Sequence, residues 1–403
     1  MDQVEEPLLI AFGSFTIEEA KEFLCHPKEN DIELSWPIKW FNTRRGLFNL
    51  GNTCFINVVV QTLVSIPELL SVWSAALDCN DGHSSVLVQL SRLFVLLCGD
   101  ENALNKLGIV QDITSVYPDN FLASIKSFYE IHGCKSAVNR SMDGHTTVHA
   151  PQQDVHEFLE WLLDAVHEDQ LKFLSFEAQP VDIDDGWAPV GKRRKEAAPQ
   201  RVGEFEASRF TDVFQGMVRS SIKINGYKDS VTLQPFMCLQ LDIVNPNVRN
   251  VLDAMDLYMS PETLYGLKRG QGSHAGQKYL HFEKLPPVLI LQLKRFVFNQ
   301  RSNNAHKVNK AVTYPAHLKI PETFLSANLK TELLLPGEDD YRNYSLQSVI
   351  LHRGHTANVG HYTSWSYNQQ TETWYGFDDK DVQKGAMTFD NQDAYLLLYQ
   401  RKN

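Results

Sequence analysis

The chain has 403 residues, 43% of them hydrophobic and 22% charged, with a formal net charge of −11. That is ordinary globular material, enough for one large multi-lobed domain or two to three small ones. No run of eighteen apolar residues is present, so no membrane-spanning helix is expected, and the acidic balance argues against a broad nucleic-acid footprint.

Residues 1–42 read as an acidic extension. "MDQVEEPLLI" lacks the basic n-region of a signal peptide. "FGSF" sets two aromatics, Phe12 and Phe15, about Gly13, whose missing side chain allows close backbone approach. The following "TIEEAKEFL" is a short helical pattern with Thr16 and Glu19 spaced as a capping box.

"GLFNLGNTCFINVVVQTL" (Gly46–Leu63) comes next. It puts Cys54 behind a run of turn formers, Asn49, Gly51, Asn52 and Thr53, and ahead of an apolar block. A nucleophilic thiol wants a tight turn, open backbone N–H groups and the positive end of a helix. Taken alone, Cys54 also reads as a small buried hydrophobe. "SSVLVQLSRLFVLLCGD" (Ser84–Asp100) is apolar enough for a core helix. "PQQDVHEFLEWLLDAVHED" (Pro151–Asp169) carries Val155, Phe158, Leu159, Leu162, Leu163 and Val166 at helical spacing, with Pro151 suited to the first turn. Residues 181–201 mix charge runs with prolines and read as a loop or disordered insert.

From Phe205 the pattern turns to strands. "VTLQPFMCLQLDI" (Val231–Ile243) and "PPVLILQLKRFVF" (Pro286–Phe298) are the strongest, and "YSLQSVILHR", "HYTSWSYN", "TWYGFDD" and "AYLLLYQ" add four more. Helices first and strands later indicate an α+β fold. Six cysteines, none in a CxxC pair, are too few for a disulfide scaffold. They point to a reducing compartment, the cytoplasm and possibly the nucleus.

A base for Cys54 must come from 14 histidines. If "HYTSWSYN" and "TWYGFDD" form a hairpin centred on Gln369 and Gln370, Trp365 faces Trp374, a favourable aromatic pair, and His361 faces Asp378. Cys54 would then attack a carbonyl, His361 would take and return the proton, and Asp378 would hold the imidazole tautomer. The Cys54 N–H and the carboxamide of Asn49 are candidate oxyanion donors. Singly, His361 also reads as a structural histidine and Asp378–Asp379 as a turn.

These stretches resemble the ubiquitin-specific protease family. Its Cys box matches "GLFNLGNTCFINVVVQTL", its Gln–Asp–His–Glu–Phe box "PQQDVHEFLEWLL", its Leu–Lys–Arg–Phe strand "LPPVLILQLKRF", and its His box "GHYTSW" with "WYGFDD" and "AYLLLYQ". They occur in the family's order from about Thr43 to Arg401, and the chain is most similar to the ubiquitin carboxyl-terminal hydrolase 10 subgroup. The resemblance implies a papain-like cysteine protease over residues 43–403, shaped like a right hand. It has a helical thumb (about 46–168), β-rich fingers (about 205–285) and a β-rich palm (about 286–403).

The implied activity is hydrolysis of the isopeptide or peptide bond after the C-terminal Gly-Gly of ubiquitin. Cys54, His361 and Asp378 fall on the family's triad, Asn49 on its oxyanion donor, and Asp379 on a carboxylate that assists in some members. Gln153, Asp154 and Glu157 fall where the arginine-containing ubiquitin tail binds, and Gly360 and Tyr362 on the narrow channel for the Gly-Gly end. "FGSF" resembles a Phe-Gly-Asp-Phe motif of the subgroup that docks on the NTF2-like domain of stress-granule proteins, with Ser14 in place of the acid.

Two features depart from the family pattern. The block after Cys54 is rich in β-branched residues and by propensity suits a strand, whereas the family implies a helix. Many members carry two CxxC pairs in the fingers. Here the first would fall at Ile224 and Tyr227, and no cysteine follows Cys238, so no zinc and no other cofactor is expected. "GKRRK" (Gly191–Lys195) reads either as a solvated loop or as a nuclear import signal. Alternatives from other classes are a ubiquitin-binding scaffold of the same fold with little catalysis and a general papain-like protease. Cleavage of a ubiquitin–coumarin substrate beside a casein digest separates them.

Overall fold

The structure, a computed structural model, describes residues 44–78, 85–99, 115–116, 119–134, 137–140, 146–174, 187–190, 198–202, 207–269, 272–299, 304–333, 339–356, 358–387 and 392–402. Phe12, Gly13, Phe15, the Thr16 capping box and "GKRRK" lie outside the described residues.

The thumb is helical. Its helices are α1 (Cys54–Val64), α2 (Leu70–Asp78), α3 (Val86–Cys98), α4 (Asp119–Ser124), α5 (Lys126–Ile131) and α6 (Val155–Leu174). The β-branched block after Cys54 is α1, and every one of its residues is buried. A helix enclosed on all sides takes its stability from packing, which outweighs the fraction of a kcal/mol per residue by which valine disfavours a helix. Phe55 anchors it, with its ring 5.4 Å from Phe158 of α6 and 6.0 Å from Phe128 of α5. α6 begins at Val155, not at Pro151, because the Asp154 carboxylate accepts the His156 N–H at 2.7 Å and caps it there. Two short pairs finish the thumb: β1 (Gly46–Leu47) with β2 (Ser115–Val116), and β3 (Val138–Arg140) with β4 (Thr146–Val148).

The fingers are a six-stranded sheet. It contains β5 (Trp187–Val190), β6 (Ala198–Val202), β7 (Gly216–Lys223), β8 (Ser230–Phe236), β10 (Glu262–Arg269) and β11 (Gly272–Lys284), in the order β10-β11-β7-β8-β6-β5. The expectation of a loop or disordered insert over 181–201 is corrected at 187–190 and 198–201, where β5 and β6 pair antiparallel and β6 adds to β8. Pro189 opposite Pro199 hid it, since proline is tolerated only on sheet edges.

The palm is an eight-stranded sheet of β9 (Cys238–Leu241), β12 (Val288–Leu293) and β15 (His317–Lys319), with β16 (Asn343–Thr356), β17 (Val359–Asn368), β18 (Thr373–Asp378), β19 (Asp381–Gly385) and β20 (Ala394–Arg401). Val231–Ile243 is not one strand. It breaks at Met237, so β8 belongs to the fingers and β9 to the palm, and the break carries the chain from one sheet to the other. β12 and β20 are mostly apolar because both faces are covered. Val288 and Ile290 of β12 enter the core shared with the thumb, while Leu289, Leu291 and Leu293 enter a second core behind the sheet.

The β17–β18 register differs from the expected one by two residues. Trp374 faces Tyr367, and Trp365 faces Gly376. The turn holds four residues, not two, with Glu372 at φ 49°. A two-residue shift keeps every side chain on its face. His361 and Asp378 therefore remain neighbours, now diagonal instead of opposite.

Candidate active site

Cys54 is the first residue of α1, so its N–H has no intrahelical acceptor. The loop before it is held by a compact set of bonds. Asn49 Oδ1 accepts the N–H of Gly51 at 3.2 Å and of Thr53 at 3.1 Å, and the Leu50 N–H donates to Thr53 Oγ1 at 3.0 Å. Gly51 and Asn52 adopt φ of 103° and 55°. A side chain on Gly51 would overlap the Val148 carbonyl, so only glycine fits there. Asn52 Nδ2 donates to the Ala150 carbonyl at 2.9 Å. The thiol is almost fully buried and donates to Gln152 Oε1 at 3.6 Å.

His361 stands across the cleft on β17. Its Nε2 lies 2.6 Å from Asp378 Oδ1, and the Cys54 side chain neighbours its ring. The imidazole is pushed up to about 9. Cys54 is the largest cause, burial opposes it, and the Asp378 bond and the charges of Cys54 and Asp379 add to the rise. The three residues of the expected triad are thus together.

Asn49 and Asp379 are also together, on each other. Asn49 Nδ2 donates to Asp379 Oδ2 at 2.9 Å. The other carboxylate oxygen, Oδ1, accepts Asn57 Nδ2 at 2.8 Å. Asp379 therefore grips the Cys54 loop.

Among the expected tail-binding residues, Glu157 is exposed on α6, 3.3 Å from His132 Nε2. Asp154 lies deeper. Burial raises its pKa, while Tyr395 Oη, donating at 2.7 Å, and the His156 N–H hold it down. Gln153 is buried and donates to Pro151 O at 3.0 Å, within its own loop. Beyond Glu157, a cleft of about 450 Å³ opens between α6 and the fingers, lined by Glu160, Asp164, Phe236 and Met237. Burial raises the pKa of Glu160 and of Asp164.

Gly360 lies one residue before the base. Tyr362 is fully buried, with its ring 4.6 Å from that of His352 and 6.4 Å from Tyr395. It packs beneath the strand. His352 is itself fully buried beside Phe296, and burial lowers it to about 4, so it is a neutral ring under the site.

Gln152, Asn57, His352 and Tyr395 escaped the sequence reading. Gln152 is adjacent to Gln153, and only the bend before α6 shows which of the two meets the thiol. Asn57 is the one polar residue in "FINVVV", a signal available in the sequence. At the tip of the fingers Gly226 (φ 80°) and Gly266 (φ 76°) turn two similar loops, Ile224–Tyr227 and Leu264–Leu267. Leu267 and Ile224 both lie against Gly276. Tyr227 Oη is 3.2 Å from His274 Nε2. Apolar and aromatic contact closes this tip, and the residues there do not fit a zinc ion.

The family model described as ubiquitin carboxyl-terminal hydrolase matches residues 45–399. Probable ubiquitin carboxyl-terminal hydrolase 3 of Schizosaccharomyces pombe is 28% identical, over 89% of this chain and 74% of its own length. Ubiquitin carboxyl-terminal hydrolase 10 of Gallus gallus is 28% identical over 89% of this chain, which spans about half of it, 48%. Among solved structures, the module of Ubp8, Sgf11, Sus1 and Sgf73 bound to ubiquitin aldehyde aligns with a TM-score of 0.64 at 20% identity, covering 91% of this chain and 71% of that one. That likeness is one of fold.

Proposed function

The chain belongs to the ubiquitin carboxyl-terminal hydrolase family of cysteine-type deubiquitinating enzymes, and from that premise we propose that Cys54, His361, Asp378 and Asn49 carry the reaction. Cys54 thiolate adds to the carbonyl carbon of the C-terminal glycine of ubiquitin. The carbonyl oxygen becomes an oxyanion, received by the Cys54 N–H and by Asn49 Nδ2. The tetrahedral species collapses, the C–N bond breaks, and the His361 imidazolium gives its proton to the departing amine. Water then attacks the thioester while His361 takes its proton, and the Cys54 thiolate leaves. Asp378 keeps Nε2 of His361 protonated and the ring aimed at sulfur.

The observation that carries this reading is the single imidazole of His361, 2.6 Å from the Asp378 carboxylate and raised chiefly by the neighbouring Cys54. Glu157, with Asp154 behind it, is proposed to meet the basic ubiquitin tail, and Gly360 to border the passage of its Gly-Gly end. The cytoplasm, and in part the nucleus, suits a nucleophile that must stay reduced. Docking of Phe12–Phe15 on an NTF2-like domain is the finer part of the partner reading. Its test is binding of a peptide spanning residues 6–25, lost on Phe12→Ala. For the activity, the test is ubiquitin–coumarin hydrolysis by wild type and by Cys54→Ala. The variant should bind ubiquitin without turnover, and substantial turnover by it would remove Cys54 from the mechanism.

A further inference from the structure

Asn57 is 2% exposed, one turn into the most deeply enclosed helix of the thumb. Its Oδ1 is buried and has no hydrogen-bond partner among the described residues. A buried, unsatisfied carbonyl oxygen costs about 1–3 kcal/mol, and a leucine in the same volume would avoid that cost. Such an atom in a native core calls for an explanation, and the other end of the carboxamide supplies one. Nδ2 donates to Asp379 Oδ1 at 2.8 Å, and lies only at the margin of bonding, 3.4 Å, from the carbonyls of Leu47 and Phe48.

Asp379 is held in three ways. Its carboxylate is bridged by Asn57 on Oδ1 and by Asn49 on Oδ2. Its own carbonyl accepts the Leu47 N–H at 3.0 Å. Its backbone sits at φ 51°, a left-handed conformation that a non-glycine residue holds only when its surroundings impose it. The consequence falls on Asn49. With Oδ1 taken by the N–H groups of Gly51 and Thr53, and one Nδ2 hydrogen directed to Asp379, the amide cannot flip. Its second Nδ2 hydrogen is then fixed in direction.

We propose that Asn57 is a positioning residue for the oxyanion donor. It anchors the Asp379 carboxylate, and Asp379 in turn fixes the carboxamide of Asn49. This rests on the reading of Asn49 as the donor given above. Removal of a positioned oxyanion donor lowers kcat by about 10²–10³. Asn57 acts at one remove, so its loss should lower kcat by roughly tenfold, leave KM in place and spare the melting temperature.

The test is Asn57→Leu, Asn49→Ala and the double variant on ubiquitin–coumarin, with pH–rate profiles and thermal melting for each. Asn57→Leu should melt no lower than wild type, lose about tenfold in kcat, keep KM and keep the pH profile. The double variant should be no slower than Asn49→Ala, because residues acting in series do not add. Multiplicative losses would overturn the proposal, as would a shifted basic limb, which would mean that Asn57 acts on His361. A kcat loss that tracks a fall in melting temperature would make Asn57 merely structural. If wild type hydrolyses no ubiquitin substrate, the functional reading fails while the coupling remains measurable. The Asn49 side-chain amide resonances should be dispersed in wild type and collapse towards solvent values in Asn57→Leu. Unchanged resonances would refute the coupling.

Discussion

Gly360→Ala tests how the base is seated. A methyl group at this position would point at neither Cys54 nor open solvent. It would overlap the Arg353 carbonyl and lie 2.5 Å from His352 Nε2 and 2.8 Å from His352 Cε1, where ordinary contact begins near 3.4 Å. Relief needs a movement of about 1 Å. The Arg353 carbonyl belongs to the backbone of β16, and Phe296 and Tyr362 hold the His352 ring at 5.2 and 4.6 Å. The strand carrying Gly360 therefore moves too, and with it the next residue, His361. Overpacking of this kind costs about 1–3 kcal/mol, and a 1 Å misplacement of a reacting group costs about 10² in rate. The assay is thermal melting together with kcat and KM on ubiquitin–coumarin. A lower melting temperature with a roughly hundredfold loss in kcat is expected. A raised KM at unchanged melting temperature and kcat would refute the reasoning, because it would mean that the missing side chain serves substrate clearance alone.

The imidazole of His361 should titrate near 9 by NMR and move down in Cys54→Ala, since Cys54 is the largest cause of its rise; no movement would show that Cys54 does not raise it. Because its folded value is raised, its stabilising contribution is complete below about 6.5, the unfolded value, and fades as pH rises through about 9. Wild type should thus lose more melting temperature than Cys54→Ala across that window. Asp378→Asn keeps an acceptor for the His361 Nε2–H and should retain far more turnover than Asp378→Ala, and equal losses would show that orientation is not the role of Asp378. Glu157→Lys should chiefly raise KM for ubiquitin–coumarin, an effect that weakens with salt because the residue is exposed; an unchanged KM at low ionic strength would remove the contact. Chelator treatment should leave melting and turnover intact and elemental analysis should find no zinc, since Ile224 and Leu267 close the fingertip.

How much of this was legible in the sequence depends on the range of the interaction. The apolar runs of β12 and β20 and the period of α6 are local, and they emerge where expected. α1 defeats propensity because enclosure on every side cannot be read from "FINVVV" itself. The β5–β6 pair defeats it in the other direction, since its prolines face each other on a sheet edge. The pairing of His361 with Asp378 was found through a register wrong by two residues, and it survived because the strand period is two. The Asn49–Asp379–Asn57 bridge joins residues more than 300 positions apart, and its one local sign is Asn57, the single polar residue in "FINVVV".

The neighbouring carboxylates of the β18 turn divide the labour by backbone geometry. Asp378 ends a strand in extended conformation, beside His361 on one face of the sheet. Asp379, one residue on, is left-handed, and its carboxylate meets the carboxamides of Asn49 and Asn57 while one of its oxygens stays within 4.8 Å of His361 and Asp378. Both its oxygens are then occupied by carboxamides. Asp379 adds negative charge beside His361, but bonding the ring would mean giving up Asn49 or Asn57. The two acids are therefore not interchangeable, although they are chemically identical and adjacent. In the proposed mechanism, one sets the direction of the base and the other the direction of the oxyanion donor. Because both sit on a single turn, the proposed nucleophile, base and oxyanion donor are held in one frame across the joint between thumb and palm.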